Sequence, residues 1–204
     1  MTASPKMSPL AKAQTLAPGD GYSAFDPALA RDLAALVIAD HRTKFLGDHL
    51  EVERLATVHN LGQEGLAITR IVLCGKVVTL ICVPADKWSG PLRFRLRALK
   101  AEAATLGHRC VLVPANFVRR QPRLENSQAI MRNRAVRVSA TARLRIVGLL
   151  IDQGWATIMD CCSALDHPDA VGALFHLIAV GTIRIDLNQP ITPFTIVELT
   201  STAQ

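Results

Sequence analysis

Two β-rich runs, Ala67–Cys74 and Lys76–Val83, flank Gly75. A glycine between two such runs predicts an antiparallel strand pair closed by a tight reversal. The second run is almost wholly apolar, the pattern of a central strand buried on both faces. The next segment, "SGPLRFRLRALKAEAATLGH", reads as a helix capped by Ser89 and ended by Gly107. Leu92, Leu96, Leu99, Ala103 and Leu106 form its inner stripe. "RCVLVPANFV" then reads as a further buried strand. A strand–helix–strand crossover requires a parallel pair, so the expectation is an α/β domain with a mixed sheet, ending near Val118. Upstream, Asp26 and Pro27 open a helix through Ile38, with Leu29, Leu33, Leu36 and Val37 on its apolar side. A second helix is expected from about Asp48, with Leu50, Leu55 and Val58 facing inward.

Beyond Val138 the pattern changes. "SATARLRIVGLLIDQGW" is a helix with Ser139 as its cap, and "TIMDCCSAL" a second, capped by Thr157. "HPDAVGALFHLIAVG" is a third, with Pro168 in its first turn and Gly181 at its end. "TIRIDL" and "FTIVEL" follow as two short strands separated by "NQPITP". Three helices followed by a hairpin is the winged-helix order. The expected division is a flexible segment 1–25, an α/β domain 26–118, a basic connecting segment 119–138 and a winged helix 139–204. The first segment is small, polar and rich in Pro and Gly, and lacks the apolar core of a secretion signal. No apolar run is long enough for a membrane span. Five cysteines (74, 82, 110, 161, 162) show no C-x-x-C spacing, which points to a reducing, cytoplasmic setting. Cys161 and Cys162 read as core or near-core thiols, and the six histidines show no zinc-site spacing.

The charge is not evenly spread. Net charge is +6 with a pI of about 9.4, which favours a polyanionic partner. Val113 to Arg145 carries eight arginines (119, 120, 123, 132, 134, 137, 143, 145), one glutamate and no lysine. The guanidinium fork suits phosphate. One reading is a clamp on the DNA backbone, and the other is a solvated basic linker. Leu124 and Ile130 would dock the segment, and Pro122 and Asn126 would shape it. Arg93, Arg97 and Lys100 form a second basic stripe, which would extend the first if the two adjoin. Arg143, Arg145 and Arg184 offer DNA contacts from the last domain. Its third helix offers only Asp169 and His176 among polar side chains, which suits packing against protein better than reading a groove.

"GHRCVLVPANFVRRQPRLENSQAIMR" resembles the basic, proline-containing element that follows a core strand in TnsA-like transposase endonucleases. "ALFHLIAVGTIRIDLNQPITPFTIVEL" resembles the winged-helix tail of the same proteins. Together with the element order, the resemblance spans roughly Asp48 to Leu199 and implies a restriction-endonuclease-like core followed by a winged helix. In that family, acidic residues and a lysine hold Mg²⁺ and cut DNA. Here Cys82 and Pro84 occupy the approximate place of the acidic-x-lysine pair, and "AITRIVLC" carries no aspartate. Glu51, Glu64, Asp86 and Lys87 are the one acidic-plus-lysine set that can be assembled. The leading expectation is therefore a non-catalytic protein that binds double-stranded DNA and needs no cofactor. The alternatives are an Mg²⁺-dependent endonuclease with rearranged ligands, and an adaptor that binds a protein partner through the winged helix.

Overall fold

The computed structural model describes residues 25–88 and 90–200, so the cap expected at Ser89 and nearly all of the segment 1–25 lie outside the described residues. Helix α1 (Pro27–Ala39) starts where Asp26 accepts from the Ala28 and Leu29 amides, with Pro27 in the first turn. Strand β1 (Thr43–Gly47) follows. It was not foreseen, because it is a five-residue edge strand whose side chains are half-buried or exposed, and it carries Lys44.

Helix α2 (Leu50–Val58) corrects the expected register. Leu50 and Val58 are 67% and 71% exposed, while Val52 and Ala56 are buried. One turn separates Val52 from Ala56, so this pair defines the inner side. The larger side chains at the two ends point away from it.

Strands β2 (Ala67–Leu73) and β3 (Lys76–Val83) pair antiparallel. Leu73 faces Lys76, leaving Cys74 and Gly75 as a two-residue turn with φ of 48° and 75°. Two positive φ values match the twist of the hairpin, and Cys74 thus leaves the strand expected to contain it. Helix α3 (Pro91–Thr105) crosses over to β4 (Cys110–Pro114), which pairs parallel with β3. Leu92, Leu96, Leu99 and Ala103 are buried as expected. Leu106 is not, because it is the cap beyond the last helical turn. The strand expected to run through Val118 stops at Pro114, and Ala115–Val118 forms a short helix, α4. Proline has no N–H to continue a ladder.

The four-stranded sheet has the order β1-β2-β3-β4. Alternation along β3 sends Leu80 and Cys82 toward α1 and α4, and Ile81 and Val83 toward α2 and α3. The sheet is therefore covered on both faces.

Helix α5 (Arg123–Arg132) occupies the expected connecting segment and packs on α1. The remaining elements are α6 (Ala140–Gln153), β5 (Ala156–Thr157), α7 (Ile158–Ala164), α8 (Ala170–Ala179), β6 (Ile183–Arg184) and β7 (Ile196–Leu199). Ser139 caps α6, and Thr157 and Asp160 form a reciprocal capping box on α7. Asp169 caps α8, so Pro168 precedes the helix rather than lying in its first turn. The expected hairpin is a three-stranded sheet, β5-β7-β6, with much shorter strands than "TIRIDL" and "FTIVEL" implied. The chain is thus a mixed α/β protein with a four-stranded and a three-stranded sheet. Among the described residues, no helix is long and apolar enough to cross a membrane.

Two helices join the cores. Ala39 of α1 and Ile130 of α5 sit in the same apolar cluster as Ile146, Leu150, Leu174, Leu177 and Val197. Leu29 and Leu33 of α1 pack instead on the four-stranded sheet.

Candidate functional site

The arginine-rich stretch begins on a helix with clear anchors. Leu124, Asn126, Ser127 and Ile130 of α5 are buried, while Glu125 in the first turn and Arg132 in the last complement the helix dipole. Asn126 Nδ2 donates to the carbonyls of Leu187 (2.9 Å) and Gln189 (2.8 Å), tying α5 to the β6–β7 connection. Gln128 Nε2 donates to Asp32 Oδ1 (3.0 Å), tying it to α1.

The chain after α5 is also held. His176 Nδ1 donates to the Arg134 carbonyl (2.7 Å), and His167 Nε2 donates to the Arg137 carbonyl (3.1 Å). His167 Nδ1 in turn lies within hydrogen-bond distance of both the Asp169 carbonyl (2.8 Å) and the Asp169 amide (3.0 Å). Asp169 Oδ1 accepts from the Gly172 amide (2.8 Å). Both polar side chains that the sequence offered on the third helix are therefore occupied in structure. The helix itself is internal: Ala173, Leu174, Phe175, Leu177 and Ile178 are all buried.

The arginines divide into two groups. Arg119 is committed, with Nε 3.0 Å from Asp32 and Nη2 3.7 Å from Asp26. Arg123 is half-buried, stacks over Phe117 at 4.2 Å and donates to the Phe117 carbonyl. Burial, with help from Arg120, lowers its pKa. Arg184 pairs with Glu198 across β6 and β7 (2.8 Å). Arg145 lies 3.9 Å from the highly exposed Asp166, a contact worth little in water. Arg120, Arg132, Arg134, Arg137 and Arg143 are exposed and, among the described residues, pair with no carboxylate.

Arg93, Arg97 and Lys100 are exposed on α3. That helix covers the opposite face of the sheet from α1, on which α5 lies. The sheet separates the two basic surfaces, so the stripe does not extend the junction.

The acidic-plus-lysine set does not form a ligand cluster. Glu64 accepts from Lys87 Nζ (3.1 Å) and Arg95 Nη2 (2.8 Å), and Arg95 Nη1 also donates to the Asn60 carbonyl (2.6 Å). The Lys87 hydrogen bond, then that of Arg95, holds the Glu64 carboxyl below its ordinary range. Glu51 lies 2.9 Å from His108 Nε2, and Asp86 is exposed on its 3₁₀ turn. Among the described residues, no three His, Cys, Asp or Glu side chains stand together as a metal site. Cys82 is fully buried, and desolvation pushes its thiol up to about 12. Cys161 is also fully buried, as read, with burial raising it to about 11. Trp88 and Trp155 are both exposed.

Several working residues escaped the sequence. Asp32, Gln128 and His167 act through long-range bonds, and nothing in their local spacing marks them. Arg95 lies between Arg93 and Arg97 yet turns to Glu64. Asn126 was expected to shape a turn, but it stands in α5 and reaches across to the β6–β7 connection. Comparison with protein-family models found no match for this chain, and comparison with curated proteins found none either.

Proposed function

We propose that this chain is a non-catalytic protein that binds double-stranded DNA, in nucleoprotein assembly or regulation. On this reading a restriction-endonuclease-like core and a winged helix, as in TnsA-like proteins, hold a basic junction against the DNA backbone. Arg120, Arg132, Arg134, Arg137 and Arg143 carry the contact. The observation behind the proposal is that these cations extend, unpaired by carboxylates of the described residues, from backbone that is largely anchored. A backbone ordered before binding leaves mainly side-chain entropy to lose on the duplex. Each neutralised phosphate releases condensed counterion, which gives affinity without sequence readout.

The endonuclease alternative has less to draw on. Glu64 and Lys87 meet as an ion pair braced by Arg95, and Glu51 stands with His108. A labelled random-sequence duplex titrated across a salt series, with and without Mg²⁺, tests both readings. Affinity falling steeply with salt and uncut DNA are expected. Mg²⁺-dependent cleavage would overturn the non-catalytic reading, and absence of binding at low salt would overturn DNA binding.

A protein-binding role for the second unit rests on a separate observation. Met159, Phe194 and Ile196 are exposed, and the Met159 amide bonds Pro193 while Ile196 pairs with Thr157. Backbone pairing thus brings all three residues to the β5–β7 side of the small sheet. Replacing Phe194 with Ser should abolish partner or self-association without lowering DNA affinity if this reading holds. Unchanged association would reject it.

A further inference from the structure

Between the four-stranded sheet and the second unit lies a cavity of about 470 Å³. That is within the range of roughly 300–1,000 Å³ usual for small-molecule sites. Its walls are apolar: Leu33 and Leu36 from α1, Ile71, Leu80 and Val113 from the sheet, and Ile178 from α8. Eight of its lining residues are polar, and most have partners. Asp40 accepts from Arg42 at Nε (3.0 Å) and Nη2 (2.8 Å), and His41 Nδ1 lies 4.0 Å from the same carboxylate. Arg184 pairs with Glu198, and Asp186 Oδ1 accepts from the Asn188 amide (2.9 Å).

Arg123 differs from these. Arg123 lines the cavity beside Phe117, also a wall residue, over whose ring its guanidinium stacks and to whose carbonyl its Nη2 donates. Among the described residues no carboxylate pairs with it, and its buried Nε has no acceptor. A cation at an apolar wall without a counter-charge is costly, and an incoming anion offsets that cost.

We propose that this cavity binds a small amphipathic monocarboxylate, with its aliphatic chain against the apolar wall and its carboxylate on Arg123. A single guanidinium matches one carboxylate in charge and fork geometry. Because both units wall the cavity, its occupant bridges them. The site is independent of the DNA-binding reading and is tested without DNA.

The test is calorimetric titration of the full chain with octanoate and, separately, with octan-1-ol. Saturable binding of one octanoate per chain is expected, with octan-1-ol at least tenfold weaker. Arg123→Met should weaken octanoate at least tenfold. Val113→Trp, which fills the cavity from β4, should abolish binding, with near-UV circular dichroism checking that both variants fold. Equal affinity for the acid and the alcohol would overturn the proposal without recourse to any variant. So would absence of octanoate binding up to millimolar concentration, or undiminished binding to a folded Val113→Trp chain.

Discussion

Helices α3 and α5 both carry surface cations, yet they are embedded differently. Helix α3 buries Leu92, Leu96, Leu99 and Ala103 against one core, and its exposed Arg93, Arg97 and Lys100 stand on an ordinary outer face. Helix α5 lies on α1, gives Ile130 to the second core and is stitched to α1 and the β6–β7 connection by Gln128 and Asn126. Its basic surface continues into a segment whose carbonyls His176 and His167 hold. Charge density alone does not separate a solvated helix face from a binding surface. What the structure distinguishes is place: the α3 cations stand over one face of the four-stranded sheet, and those of α5 lie where the two apolar cores meet.

That contrast can be broken at its anchors. The largest effect is expected from Ile130→Ala, which leaves a cavity where α5 meets the second core. It should lower stability by about 2–4 kcal/mol in urea unfolding. Leu96→Ala on α3 should cost a similar amount, but only the α5 variant should also loosen the arginine segment, seen as faster amide exchange over residues 133–138. Equal exchange in both would dissolve the distinction.

Gly172→Ala is next. A Cβ there would collide with the Asp169 carboxylate and crowd Asn133, so the α8 cap must give way. Losing the cap should cost about 1 kcal/mol by thermal melting. Arg119→Ala should cost less than about 1 kcal/mol, because its pairs with Asp32 and Asp26 are partly exposed. It should leave the salt dependence of DNA binding nearly unchanged, since this arginine is already engaged.

The smallest effect concerns the α3 side. Glu64 ionises below the ordinary glutamate range when folded. Its pairing therefore stabilises fully above the unfolded-state value and is lost as pH falls through the folded-state value. Glu64→Gln should flatten the acid limb of the stability profile over that window, with its loss of stability complete at neutral pH and vanishing below the folded-state value. A variant that loses stability equally at all pH values would show that packing, not ionisation, dominates there.

The sheet was legible because its signals are local. Gly75 between two apolar runs, and a long amphipathic helix ahead of β4, dictate hairpin and crossover without long-range information. The caps at Asp26, Ser139 and Thr157 were legible for the same reason. Edge strand β1 was not, since half-buried positions give no strong alternation. The register of α2 was misread because the buried position one turn after Val52 is an alanine, while larger apolar residues lie outside. At the junction, composition announced positive charge but not its allocation. Arg119 and Arg123 are indistinguishable in sequence from Arg120 and Arg132, and only the fold brings Asp32 and Phe117 to the first two.

The most direct measurement compares salt slopes for two variants of the full chain on the same random-sequence duplex. One replaces Arg120, Arg132, Arg134, Arg137 and Arg143 with alanine, and the other replaces Arg93, Arg97 and Lys100. If each junction arginine meets a phosphate, the first set should reduce the slope of log affinity against log salt by about 4.5. The second set should leave the slope within about 1 of the wild type. Equal losses from the two sets, or a larger loss from α3, would contradict the junction as the DNA-binding surface.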